Sequence, residues 1–403
     1  MQTPVQTDKD RAQPGYFQLF RDMYKQNIRK YSMVIALVFI MLLFQILTDG
    51  ILLRPLNITN LILQNSYILI LAIGMMLVII TGHIDLSVGS VAAFVGAVSA
   101  MMIIENDMPL FAAVVLSLLL GAAIGAWQGF WIAYVKIPAF IVTLAGMLLF
   151  RGLTMIVLEG KSIAPFPVSF QKMASGFIPD WLNGGTFHLT TIVVGAGVSI
   201  LYLVYQLQQR NMQKKFQFDL QGKGLFTVKV FFIIAIINLF TYILATYEGI
   251  PLILITLFVL IAGYTFVMKK TVIGRRIYAI GGNEKAAELS GIKTKRLTFM
   301  VFVNMGVLAA LSGLIFAARL NAATPKAGNL FELDAIAACF IGGASAYGGI
   351  GTIGGAIIGG LVMGVMNNGM SLLGLGIDWQ QAIKGLVLLI AVAFDIYNKN
   401  KTS

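Results

Sequence analysis

LFAAVVLSLLLGAAIGAWQGFWIAY, residues 110–134, carries no charged side chain over 25 consecutive positions. An α-helix rises about 1.5 Å per residue, so a run of this length spans the roughly 30 Å hydrocarbon core of a bilayer. Runs of the same kind recur at 31–48, 230–245 and 252–268. The alternating pattern of a membrane β-barrel is absent, so the expected fold is all-α, a polytopic membrane helical bundle.

Composition agrees over the whole chain. Of 403 residues, 58% are hydrophobic and 11% charged, and the mean hydropathy is +0.86. That is more apolar side chain than one soluble core encloses. Spans are expected at 31–48, 67–82, 86–104, 110–134, 138–158, 188–206, 229–247, 251–268, 298–318, 333–346, 350–372 and 379–396. This gives about 10–12 transmembrane segments, some of them broken or half-helices.

The net charge of +12 does not point to nucleic acid, because the basic residues lie in short blocks between apolar runs. One cysteine, Cys339, excludes an intrachain disulfide, and two histidines, His83 and His188, disfavour a metal site. Residues 1–30 read as a cytoplasmic tail and 31–396 as the membrane domain, with a second tail at 397–403. Lys9, Arg11, Arg21, Lys25, Arg29 and Lys30, then Arg210, Lys214, Lys215, Lys223 and Lys229, then the loop 269–297, fall on one side when spans are counted alternately. The positive-inside rule makes that side, and both termini, cytoplasmic. The segment 159–187, with Lys161 and Lys172, falls opposite.

Glycines recur four apart at Gly121, Gly125, Gly129 and at Gly351, Gly355, Gly359, the spacing of close helix packing. Each glycine-rich stretch follows an acidic one, Ile84-Asp85-Leu86-Ser87 and Glu332-Leu333-Asp334, which hints at an internal duplication. The stretch from Gly82 to Ser90 interrupts two apolar runs and marks His83, Asp85 and Ser87 as candidates for lining a translocation path, with Asn304, Asn367 and Asn368 beside them. A tight polar turn is the alternative reading. Asn283 and Gly291 bracket a short helix in the loop 269–297, one as cap and one as stop. Two turns of helix are not stable alone, so this element needs a partner surface, either another protein or the chain's own basic end.

The run Gly349-Ile350-Gly351-Thr352-Ile353-Gly354 follows no strand and sits among membrane segments, so it is not read as a nucleotide loop. No P-loop occurs anywhere, so any ATP is hydrolysed by a partner. A membrane enzyme would require a nucleophile–base set, and none has convincing spacing. A proton-coupled transporter would rest on Asp85 and His83. Arg151, His188, Arg319, Gln380, Gln381 and Lys384 line a path or snorkel to an interface.

From Asn60 to Phe394 the chain resembles the permeases of ribose- and xylose-type sugar ABC importers. The residues that carry the likeness are Ile84 to Ser90, Pro138 to Leu144 with Arg151-Gly152, Ile280 to Asn283 with Gly291-Ile292, and Glu332 to Ala338 with Ile341 to Gly343. The resemblance implies two permease copies forming one path, two ATPase subunits beneath and an extracytoplasmic sugar-binding protein above, in a bacterial inner membrane among its lipids. It places Gly281, Gly282, Asn283, Glu284, Ala286, Ala287, Ser290 and Gly291 at the ATPase contact. This chain would bind no cofactor, ATP and Mg being held by the ATPase. Ribose-type relatives generally have glycine where His83 stands and lack the 188–250 insertion, so the longer xylose or multiple-sugar permeases resemble the chain best.

Overall fold

In the computed structural model, which describes residues 28–185, 187–216 and 222–402, proline marks five of the helix starts. Its fixed φ and missing N–H suit the first turn and nothing later. Pro55 opens α2 (Pro55–Ile80), while Pro109, Pro138, Pro167 and Pro251 stand just before α4 (Leu110–Ala133), α5 (Ala139–Val157), α6 (Val168–Ser175) and α9 (Leu252–Lys270). The remaining helices are α1 (Ile28–Leu47), α3 (Val88–Ala100, continued by a π-helical turn Met101–Glu105), α7 (Leu189–Lys215), α8 (Lys223–Ala245), α10 (Val272–Gly282), α11 (Glu284–Leu289), α12 (Thr294–Leu320), α13 (Phe331–Ile341), α14 (Ile353–Leu372) and α15 (Ile377–Thr402).

Among the described residues there is no strand, only isolated bridges of Ile163 with Ala323 and of Phe177 with Pro251. Among the described residues nine helices are long and apolar enough to cross a membrane, α3 only when its π turn is counted with it. Each of the twelve expected segments has its helix. The N-terminal tail lies outside the described residues as far as residue 27, and α15 runs on through residues 397–402.

Several boundaries differ from expectation, two of them in the helices that pack at the centre of the bundle. The span expected at 67–82 begins at Pro55, because Asn57, Asn65 and Ser66 are buried with partners inside the bundle instead of ending the helix. The span expected at 333–346 stops at Ile341, where Gly342 and Gly343 (φ 80) turn the chain. At about 1.5 Å per residue, its eleven residues reach only partway across a bilayer.

Packing shows an inverted repeat. Helices α2 and α12 run antiparallel through the centre: Met305 and Leu308 crowd Gly74, and Ser312 Oγ donates to Tyr67 O at 3.1 Å. The short helix α3 and the long α4 lie along α12, and the short α13 and the long α14 lie along α2. Helix α5 packs on α3 as α15 packs on α13. Each half therefore closes on the first helix of the other, the arrangement of inverted repeats about an axis in the membrane plane. A Cβ on Gly121 would lie 2.4 Å from Gly306 O, and one on Gly125 2.3 Å from Phe302 O; Gly129 faces Phe299 O at 3.1 Å. In the other half Gly355 and Gly359 meet Gly342 O and Ala338 O at 2.1 and 1.9 Å, while Gly351 faces the Met76 side chain.

Asn57 and Asn368 tie the two halves together, each amide donating to the other's oxygen at 2.8 and 3.0 Å. Replacing Asn57 with Leu strands a buried amide and is expected to cost about 1–3 kcal/mol. Leucine at both positions should cost less than the sum of the single changes, as measured by thermal melts in detergent. A strictly additive pair would refute the coupling.

Helices α7 and α8 form a hairpin and pack chiefly on each other. Asp180 clasps the start of α7, accepting from Thr190 N at 3.0 Å and Thr190 Oγ1 at 2.7 Å, and from Gly184 N at 3.0 Å. The amides of Gly184 and Thr190, with nearby His188, hold its carboxyl well below the usual carboxylate range. Because the folded value lies below the unfolded one, this stabilisation is fully present above about pH 4 and is lost as pH falls further. Hydrogen exchange at Thr190 and Thr191, corrected for intrinsic rates, should accelerate on acidification in the wild type. In Asp180→Asn it should be fast throughout; protection there equal to wild type would refute the clasp.

Candidate translocation and coupling sites

Two half-helices meet nose to nose inside the bundle. The chain leaves α2 at Ile80, crosses a broken stretch from Thr81 to Ser87, and begins α3 inside the protein, where Ser87 and Asp85 are 0% and 2% exposed. Asp85 Oδ1 accepts from Ser87 N at 2.8 Å and Ser87 Oγ at 2.6 Å, and Gln128 Nε2 of α4 donates to Ser87 Oγ at 2.7 Å. The carboxylate thus holds the turn that launches α3, and its negative charge sits at the positive end of that helix.

Helix α13 begins opposite. Gly328, at φ +70, lets the chain lie against Gly89: a Cβ on Gly328 would be 1.9 Å from Gly89 O, and a Cβ on Gly89 2.3 Å from Gly328 O. Side chains this close would force the two helix starts apart, so only glycine fits on either side. Arg151 Nη1 of α5 donates to Ala327 O at 2.6 Å, fixing the approach to α13. Lys384 of α15 reaches Asp334 in the first turn of α13, at 3.1 Å to Oδ1 and 3.2 Å to Oδ2. Glu332, also in that turn, is 7% exposed. Its Oε2 faces Gly89 and has no hydrogen-bond partner among the described residues.

The six path candidates go to different places. Asp85 and Ser87 share the α3 turn. His83 instead lines a cavity of about 420 Å³ at the basic end of the bundle, with Lys136, Glu284, Lys295 and buried Thr298. Burial lowers the pKa of His83, and Glu284 opposes that shift, so the ring is neutral at ordinary pH. His83 and Asp85 therefore point to different partners and form no relay. Asn304 Oδ1 accepts from Tyr264 OH, while its Nδ2 and Asn367 Oδ1 are buried with no hydrogen-bond partner among the described residues, and Asn368 is closed on Asn57. Gln128, Glu332 and Asp334 are junction residues missing from the sequence-based path candidates, and Arg151 and Lys384, read as lining a path or snorkelling, join them. An ionisable side chain within an apolar run was the available signal for four of them; Gln128, a lone amide amid apolar neighbours, gave little.

A platform forms at the basic end. Helix α10 packs through Gly281, where a Cβ would be 1.6 Å from Ile80 O, and Tyr278 OH donates to Gly351 O at 2.7 Å. Gly282 ends α10, and Asn283, extended at φ −162, accepts from Ala286 N at 2.9 Å to start α11. Gly291, at φ +82, ends that turn, its N–H donating to Glu288 O at 2.9 Å. Ser290 Oγ donates back to Ala286 O at 2.9 Å. Ala287 faces inward at 4% exposure, whereas Leu289 is 84% exposed. Gly281 and Ala287 therefore anchor the platform to its own bundle, and Glu284, Ala286, Ser290 and Leu289 stand outward.

An inverted-repeat bundle with paired half-helices and a capped helix standing off its basic end defines a polytopic membrane permease. The chain belongs to the family described as branched-chain amino acid transport system / permease component, whose pattern matches residues 57–392. It is similar to the xylose transport system permease protein of Haemophilus influenzae, 39% identical over 93% of this chain and 98% of the relative. The protein of the same name from Escherichia coli K12 is 37% identical over 95% of each chain. A ribose import permease of Bacillus subtilis is 36% identical over 91% of this chain and 93% of its own. No solved structure matched the chain.

Proposed function

We propose that this chain is the membrane-spanning permease subunit of an ATP-driven monosaccharide importer, carrying xylose or another pentose or hexose across a bacterial inner membrane. The observation that carries the reading is full-length likeness to xylose permeases. The alignment with the xylose permease of Escherichia coli K12 runs over 383 residues, 95% of each chain.

Two copies enclose the path, two ATPase subunits bearing ATP and Mg dock on α10 and α11, and an extracytoplasmic sugar-binding protein delivers the sugar. The basic end faces the cytoplasm because Lys214, Lys215, Lys269, Lys270 and Lys295 gather there. ATP binding moves the pair only through a difference in ATPase affinity between its inward and outward states. The capped helix α11 is the handle for that difference, and Gly281 is the rigid joint passing its motion to the α2 end just before the break. The half-helix junction, closed by Gly89 and Gly328, is the two-state element it acts on.

The test is reconstitution in proteoliposomes with and without the ATPase and binding protein of a xylose importer, using labelled xylose, ribose, arabinose, galactose and glucose. ATP-dependent uptake only with both partners supports the importer. Gradient-driven uptake by this chain alone sinks it. In the same assay Gly291→Val should lower ATPase co-purification several-fold while insertion stays normal, since a β-branched residue resists φ +82. Full co-purification would remove α11 from the coupling role.

A further inference from the structure

The α7–α8 hairpin is held by polar contacts at the end away from the basic platform. Besides the Asp180 bonds, the His188 ring meets Ile178 O at 2.9 Å, and His188 N donates to Ala245 O at 3.0 Å, joining α7 to α8. Beyond this clasp α8 touches α2 at few points. A cleft of about 360 Å³ opens there between α1, α2, α8, α9 and α14.

Its wall is hydrocarbon. Leu61 (9% exposed) and Val365 (2%) belong to its buried side, with Leu257 and Ile261, while Phe240 and Phe258 (37% and 70%) stand at its lip. Water needs two to four polar partners to occupy a cavity, and a sugar needs more, so neither fits this lining. Left dry, the lining would lose dispersion contacts along one side. The walls are membrane-crossing helices, which places the cleft at acyl-chain depth. Leu52 and Leu53 carry the lining toward the helix ends, and the next residue, Arg54, is exposed. Arginine is the side chain best shaped to hold a phosphate there.

We propose that the cleft binds one phospholipid from the leaflet opposite the basic end, with an acyl chain along Leu61 and Val365 and its phosphate on Arg54. The lipid completes the packing of the α7–α8 hairpin onto the bundle. This gives the hairpin a role independent of which solute is carried.

The full-length chain would be reconstituted in vesicles containing phosphatidylglycerol with a photoactivatable diazirine near the acyl terminus, irradiated and mapped by peptide mass spectrometry. Adducts are expected on Leu61 and Val365 as well as on Phe111, which is 82% exposed on α4 and reports bulk lipid. Arg54→Gln should lower the Leu61 and Val365 adducts several-fold and leave Phe111 unchanged. Labelling of Phe111 without Leu61 and Val365 would overturn the site, and equal labelling in Arg54→Gln would overturn the phosphate contact. Native mass spectrometry of the detergent-purified chain gives a second reading: one retained phospholipid in the wild type, and a several-fold smaller lipid-bound fraction in Arg54→Gln.

Discussion

Lys384→Met is expected to destabilise the bundle by about 3–5 kcal/mol, the cost of leaving a buried carboxylate without its cation. Asp334 has 8% of its side chain exposed and Lys384 24%, and the ammonium lies 3.1 Å from Oδ1. Methionine keeps most of the lysine stem's packing, so the loss reports the charge. The converse makes the test sharp. Pairing Lys384→Met with Asp334→Leu removes both charges and should recover most of the loss, because well-packed apolar residues often replace a buried ion pair without penalty. Both variants can be compared by the temperature at which the monodisperse peak disappears in detergent. A Lys384→Met melt equal to wild type would show that water reaches Asp334, and the junction would not be the closed element described above. A stable double variant that no longer transports would place the pair in the moving part.

Gly328→Ala is expected to cost roughly 2–6 kcal/mol, the sum of a left-handed backbone penalty and overpacking in a filled interior. Its Cβ would sit 1.9 Å from Gly89 O, which is backbone and cannot rotate aside. Gly291→Ala is the matched control. Its φ of +82 carries the same conformational penalty, but nothing lies within 4 Å of its Cβ, so about 1–2 kcal/mol is expected. The difference isolates the contact between α3 and α13. Equal melts for the two alanine variants would mean that the half-helices separate at little cost and that Gly89 and Gly328 do not hold the junction shut.

The fold class was legible from run length alone. Every expected segment received a helix, and Asn283 and Gly291 stand where a cap and a stop were expected, since capping depends on local backbone chemistry. The start of α2 was missed because Asn57, Asn65 and Ser66 lower local hydropathy; Asn65 and Ser66 bond carbonyls of their own helix, whereas Asn57 finds Asn368 only in the fold. Helix α6 and the extension of the basic-end loop into α10 were missed as well, both being short and held by contacts with distant helices.

The junction was half legible. The two acidic stretches hinted at a duplication, but not that their helices begin face to face, nor that Asp85 spends its hydrogen bonds on Ser87 while His83 turns to Glu284. Lys384 read as a snorkelling lysine until Asp334, fifty residues earlier, came beside it. The sequence by itself determined that the chain crosses a membrane many times, where it is basic and which glycines recur at helix-packing spacing, because these follow from residue chemistry and spacing along one segment. Only the tertiary structure decided which polar groups are buried with a partner, which glycines meet, and where an apolar cleft remains. Those depend on two segments arriving at one place, and a buried charge or a missing Cβ takes its meaning from what stands opposite.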